Sequence, residues 1–353
     1  MDKNTLLTLV KVEKETSFEP TGFVRRAIET MGVIEYCINA ASGTFWRRDE
    51  NGVSSTHNLQ TSFGDGTVLA DRTFIHYPSH DQSEFSFIAN GRKISKTTTQ
   101  IIQHPNTSVK QIICYDLNGD ITLASGVENA ILETVLIAVV TINVAKQKKI
   151  VFGDERHGLM SSETHLAEHK QGAKWTRQDD GFLLSGITDN GSTYSNITGG
   201  EILDEDITHV IGATTNAPFV YLEGVEWDLS DVNDTNLALK VNGLVVYNSF
   251  NGTNWILTPI GGDYIIMFFF VTNDGENPIF KIVGQKLYEN RTLARQDFHG
   301  ACTKILSGNL PTPEFLAVYG VIVHNESIGQ VEKGADNEIY IDYRYGFPVS
   351  MYE

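Results

Sequence analysis

Three histidines crowd into one short stretch: His157, His165 and His169. His165 and His169 stand four positions apart, so on a helix both imidazoles share a face, as two metal-bound rings must. A zinc protease would also carry Glu directly after the first of the pair, as its general base; Leu166 stands there instead. The trio therefore reads as a structural metal site or as buried hydrogen-bonding groups, not as a hydrolytic centre. Just upstream, Asp154, Glu155, Arg156, His157 and Gly158 mix both charges in one turn. Carboxylate and guanidinium side by side can serve acid–base chemistry, but the simpler expectation is a salt-bridged loop acting as a structural joint. Asp116-Leu117-Asn118-Gly119-Asp120 offers oxygen ligands yet lacks the distal Glu of a calcium loop, and reads as a hairpin turn. No Gly-x-Ser-x-Gly elbow, P-loop or dinucleotide fingerprint occurs. No catalytic residue is assigned, and no cofactor is expected beyond a structural metal at the histidines.

The elements that must position these groups are mostly strands. Glu84–Ala89 and Arg92–Lys96 flank Asn90-Gly91, and Leu237–Val241 and Leu244–Asn248 flank Asn242-Gly243. Asn-Gly between such runs is a hairpin signal, because both turn positions take φ > 0. Val109–Tyr115 and Ile121–Ala124 read as a further hairpin. Residues 127–145 are apolar and rich in β-branched side chains, which predicts a strand buried on both faces. The run at 264–271 predicts a central strand covered on both sides. Residues 161–171 read as a short helix. The clearest helix is 291–307, with Asn290 as cap and Ala294, Phe298, Ala301 and Ile305 along one stripe. The expected fold is mainly β: two antiparallel β-sandwich-like domains joined by a short helical and loop segment, with one amphipathic helix in the C-terminal domain. The boundaries are an N-terminal attachment arm at 1–29, a β domain at 30–151, a joint and linker at 152–205, and a C-terminal β domain at 206–353.

Composition narrows the function. The net charge of −17 over 353 residues argues against a nucleic-acid partner, since phosphate contacts need Lys and Arg. No apolar run is long enough to span a bilayer, and the N-terminus lacks a signal-peptide layout. Cys37, Cys114 and Cys302 match no zinc or redox spacing and read as buried thiols of a protein made in a reducing cytoplasm.

Asp154-Glu155-Arg156-His157-Gly158, with Thr164-His165, His169 and Gly172 following, resembles tail-fibre and appendage proteins of bacteriophages. Pro278-Ile279, Val283-Gly284-Gln285, Tyr288, Ala294-Arg295, Leu310-Pro311 and Glu314-Phe315 look like the C-terminal module of those proteins, and Pro20-Thr21-Gly22-Phe23 is similar to their N-terminal approach. The resemblance implies a virion structural protein made in a bacterial cytoplasm. It would be homotrimeric, would bind other virion proteins, and would link the particle to a distal fibre or to a host glycan or protein. The alternative is a carbohydrate-binding module or a tail-associated glycan depolymerase; the latter needs two carboxylates facing across a groove.

Overall fold

A computed structural model describes residues 36–39, 44–47, 50–53, 73–76, 84–89, 92–103, 105, 110–146, 148–157, 160–176, 181–230, 235–275, 277–306, 310–312, 314–333 and 339–344. The predicted arm at 1–29 lies outside them. The chain forms two compact units. Unit 1 takes Met1–His104, Ile112–Ala138 and Glu155–Ala167; unit 2 takes Pro105–Gln111, Val139–Asp154 and Glu168–Glu353. The units are thus interleaved along the chain. One division falls between Asp154 and Glu155, inside the predicted joint.

The elements of the first part are β1 (Tyr36–Asn39), β2 (Thr44–Arg47), β3 (Glu50–Val53), β4 (Thr73–His76), β5 (Phe85–Ala89), β6 (Arg92–Lys96), β7 (Gln100–Gln103), β8 (Lys110–Tyr115), β9 (Ile121–Ala124), α1 (Val127–Glu133), β10 (Val135–Asn143), β11 (Lys148–Asp154), β12 (Met160–Ser161) and α2 (Ser162–His169). Within unit 1, pairing is antiparallel: β1 with β2, β12 with β3, β3 with β5, β5 with β6, β4 with β7 and β8 with β9. The β5–β6 register joins Ala89 to Arg92 across Asn90-Gly91, as that dipeptide predicts. In the β8–β9 turn, Asp116 Oδ1 accepts from the backbone N–H of Asn118 and of Asp120, and Gly119 takes φ 93°. That is an Asx-type turn, the hairpin reading of the segment.

The apolar stretch from 127 is not one strand. Its first residues form α1, of which only Ala130 and Ile131 are buried, and these pack with Ile112 and Leu136. The remainder is β10, buried at every position. The β-branched residues that predicted a strand begin at Val135, after Thr134 has closed α1 by donating its N–H to Ala130 O.

Unit 2 continues with β13 (Lys174–Trp175), β14 (Leu184–Ser185), β15 (Asn196–Ile197), β16 (Gly200–Asp204), β17 (Ile207–Ile211), β18 (Phe219–Glu223), β19 (Glu226–Leu229), β20 (Lys240–Val241), β21 (Leu244–Phe250), β22 (Trp255–Pro259), β23 (Ile265–Thr272), β24 (Ile279–Ile282), α3 (Arg291–Gln296), α4 (Phe298–Leu306), β25 (Phe315–His324), β26 (Gln330–Val331) and β27 (Tyr340–Asp342). Its spine is a sheet in the order β19–β18–β24–β23–β25–β26, with β27 also on β25. Pairing along it is antiparallel except for β18 with β24, which is parallel. Every residue of β23 is buried. Ile265, Met267, Phe269 and Val271 face one core with Ile202, Ile211, Leu237 and Val245 of the hairpins. Ile266, Phe268 and Phe270 face another with Ala294, Phe298, Cys302 and Ile305 of α3 and α4. Hairpins cover one face and helices the other, so the central strand is apolar on both sides.

Two further differences have physical causes. The helix expected over 291–307 is two helices meeting at Asp297, which leaves helical geometry at φ −94°, ψ 8°. Asn290 caps the first through Leu293 N–H, as expected. Asp297 accepts from Lys286 Nζ at 2.7 Å and Tyr288 Oη at 2.8 Å. The Gly-rich stretch 187–205, expected as linker, holds β15 and β16. Its glycines permit close approach: a Cβ on Gly200 would stand 2.6 Å from the Phe182 ring. By contrast, Asn242 and Gly243 turn β20 into β21 at φ 51° and 80°, as their types require.

Candidate functional site

His157 and His165 lie in unit 1, and His169 in unit 2. In unit 1, the rings of His157 and His165 meet edge-on with centroids 4.8 Å apart. Both are buried, and His157 Nε2 lies 3.4 Å from Glu155 Oε2, itself buried. Arg156 is partly exposed, and Gly158 lies outside the described residues. In unit 2, His169 closes α2. Gly172 follows at φ 66° and donates its N–H to His169 O, a glycine ending of the kind helices favour. His169 Nδ1 lies 3.0 Å from Glu205 Oε1 and 3.2 Å from Glu314 Oε1. The side chains of all three are at most 1% exposed.

Sequence reasoning did not find Glu205 or Glu314 as partners of His169. Glu205 sits in the two-residue turn from β16 to β17, with Asp204 paired to Ile207. It takes φ 51°, a left-handed conformation uncommon for a residue with a Cβ. Strain of that kind persists where surrounding structure holds it, and here the neighbours are in place. Asp204 is fully buried, accepts from Asn273 Nδ2 at 2.8 Å and lies 3.6 Å from His209 Nε2. Glu314 precedes β25, and its N–H reaches Thr312 Oγ1 at 3.3 Å. The sequence signal for Glu205 was the acidic run Asp204-Glu205-Asp206 at the supposed end of the linker. For Glu314 it was a carboxylate caught between Pro311-Thr312-Pro313 and an apolar strand. His169, Glu205 and Glu314 each offer a ligand atom, and those atoms lie within 4.8 Å of one another.

A further buried histidine stands in unit 1. His76 on β4 bonds Tyr115 Oη through Nδ1 at 2.8 Å and packs on Phe85, centroids 4.2 Å apart. Burial, with a smaller push from the Arg156 charge, lowers its pKa to about 3. The same burial raises Tyr115 far above the ordinary phenol range. Cys114 and Cys302 are buried free thiols, and burial raises both.

Among the described residues of unit 2, two clefts hold carboxylates tied to cations. One, of about 300 Å³, lies between β23 and α4 and contains Asp297, held by Lys286 and Tyr288. These partners keep the Asp297 carboxyl below its usual range. The other, of about 600 Å³, lies between Leu184–Ile187 and Ile339–Asp342. Its Asp342 takes the Arg344 guanidinium, with Nη2 at 2.6 Å. Neither lining contains a second carboxylate facing the first across the gap.

Apolar groups are instead displayed at two hairpin ends. Gly224 at φ 67° and Val225 turn β18 into β19, and Val225 is 79% exposed. Gly224 and Trp255 exchange backbone hydrogen bonds of 2.8 Å, which sets this turn beside the β21–β22 hairpin. There Phe250 is 55% and Ile256 40% exposed, and the Phe250 and Trp255 rings stand 5.4 Å apart. Asn248 anchors this hairpin: its Oδ1 accepts from Leu222 N–H at 2.6 Å and its Nδ2 donates to Leu222 O at 2.8 Å. No family model matches the chain, and no curated protein or solved structure matches it either.

Proposed function

We propose that this chain is a structural, non-enzymatic component of a bacteriophage virion: a fibre or fibre-adaptor protein of the tail or head that assembles as a homotrimer. It links the particle to a distal fibre or to the host surface. The observation that carries the reading is the pair of hairpin ends bearing Val225, Phe250 and Ile256 in a chain of net charge −17. A strongly acidic protein gains solubility from its charge, so apolar side chains held out on ordered turns are best explained by a partner surface that covers them. A closed symmetric oligomer covers such a surface on every copy. The mainly β architecture and the sequence resemblance to phage appendage proteins support the same reading, and the cleft carboxylates tied to cations favour it over glycan cleavage.

Light scattering on the purified full chain tests it. A mass near three times 39.2 kDa, falling to one copy in Phe250→Asp, is the expected result. A wild-type protein that stays monomeric at high concentration overturns the trimer. A second reading rests on Phe250 and Trp255 with Asn251 and Asn254 between them, an aromatic pair suited to stacking on a sugar face. A monomer that binds a glycan array, and loses that binding in Trp255→Ala, would favour the carbohydrate-binding alternative.

A further inference from the structure

We infer that His169, Glu205 and Glu314 bind one divalent transition-metal cation inside unit 2, with Zn²⁺ the best match to the donor set. Two donors bonded to one cation at about 2.1 Å, with about 90–110° between the bonds, stand roughly 3.0–3.4 Å apart. The separations of His169 Nδ1 from the Glu205 and Glu314 oxygens, 3.0 and 3.2 Å, both fall in that interval. A hydrogen bond from the imidazole accounts for one of these contacts at a time. A histidine Nδ1 carries at most one proton, and it cannot be aimed straight at two carboxylate oxygens at once. A cation bonded to Nδ1 and to both carboxylates accounts for the two separations together.

The donors come from separate places: the last residue of α2, the turn between β16 and β17, and the residue before β25. Groups so far apart in the chain meet around a point, which is how a bound ion is enclosed. The neighbours fix the approach, because Asn273 and His209 engage Asp204 and so hold the turn that presents Glu205. An imidazole in the set selects against Mg²⁺ and Ca²⁺, which favour all-oxygen shells, and the absence of thiolate from this trio selects against soft ions. With all three side chains at most 1% exposed, the site is closed to substrate. Three protein donors leave one tetrahedral position, which in so enclosed a site only water or a second carboxylate oxygen can fill, whereas catalytic zinc needs that position open to substrate. The ion's role is therefore to tie the last residue of α2, the β16–β17 turn and the start of β25 together.

The test uses the full chain, stripped with EDTA, dialysed, and titrated with ZnCl₂ by calorimetry. Bound metal is counted by mass spectrometry, and Tm is recorded before and after reloading. The expected result is about one Zn²⁺ per chain and a saturable rise in Tm. Glu314→Gln keeps the side chain's shape and removes its charge; it should weaken binding at least tenfold and abolish the rise. His299→Gln and His324→Gln, outside the cluster, should change neither. If Glu314→Gln fails to fold, Glu205→Gln provides the same comparison. A wild-type chain that takes up no stoichiometric Zn²⁺ overturns the inference. So does uptake of unchanged affinity in the glutamine variant.

Discussion

Gly320→Ala should destabilise unit 2 because the ring of Phe298 fills the space its new Cβ would need. Gly320 lies on β25, paired with Phe268 of the central strand. An ideal Cβ there would stand 2.0 Å from Phe298 Cε1 and 2.4 Å from Cζ. Carbon atoms settle at about 3.5–4.0 Å, so the ring must retreat by roughly 1.5 Å. It has little room, being 1% exposed and bounded by Phe268 at 5.8 Å and Tyr343 at 5.9 Å between centroids. Moving it also disturbs α4, which carries Phe298 as its first residue. Overpacking of a filled core typically costs about 1–3 kcal/mol, and so large an overlap belongs near the upper end. A urea melt followed by tryptophan fluorescence measures the loss, since Trp175, Trp227 and Trp255 all report on unit 2. Phe298→Leu will cost stability alone by leaving a cavity. Combined with Gly320→Ala it should recover part of the loss, a coupling of about 1 kcal/mol or more. If Gly320→Ala melts within about 0.5 kcal/mol of wild type, or the two changes simply add, then the ring is not what excludes a side chain at 320.

Two other substitutions follow from buried polar groups. Folded His76 gains its proton only near pH 3, against 6.5 when free, so between those values the unfolded chain binds the extra proton. The stability it contributes is complete above pH 6.5 and falls by about 1.4 kcal/mol per pH unit below that, until the folded group itself titrates. His76→Gln should flatten the acid slope of unit 1, read by hydrogen exchange on β5 and β8 from pH 4.5 to 7; equal slopes in both proteins would refute the burial argument. Asn248→Leu keeps the bulk of the side chain but strips both polar partners from Leu222, at a cost of about 2–3 kcal/mol. Limited proteolysis should then cut near Asn251, and a variant as resistant as wild type would mean the hairpin is held by other contacts.

The parts of the fold legible in the sequence are those fixed by neighbours along the chain. Asn242-Gly243 announces its turn because both residues tolerate the positive φ that a two-residue hairpin imposes, and the structure uses both. The run from Tyr264 announces a central strand because an element covered on two faces has no polar side to display. Asp116 announces a turn because its carboxylate reaches the N–H groups just ahead. Where the sequence misled, two local signals overlapped. The stripe Ala294, Phe298, Ala301, Ile305 runs through Asp297 without a fault, because a bend that keeps both helices on one sheet face keeps their apolar sides aligned. The apolar run at 131–144 hid α1, since Ile131 belongs to the helix and Val135 to the strand, with only Thr134 between Glu133 and the change of period.

The site was half legible for the same reason. Spacing drew attention to His169 because its periodicity with His165 lies within a single helix. What the imidazole faces depends on Glu205 and Glu314, contributed by a tight turn and by the approach to β25. No period links those positions to residue 169, and each carboxylate looks ordinary in its own window. A buried carboxylate is costly without a partner, whereas an exposed one is cheap. Glu205 and Glu314 were therefore ambiguous until burial was known. Burial also gives weight to the exposed hairpins: Phe250 and Ile256 stand in solvent while His169, Glu205 and Glu314 lie inside. A chain that buries charge around one point and exposes aromatics at another spends stability at both, and such departures from the usual partition concentrate where a protein binds something. The occupants proposed for the two points, an ion at the first and a copy of the same chain at the second, are therefore the ones to test.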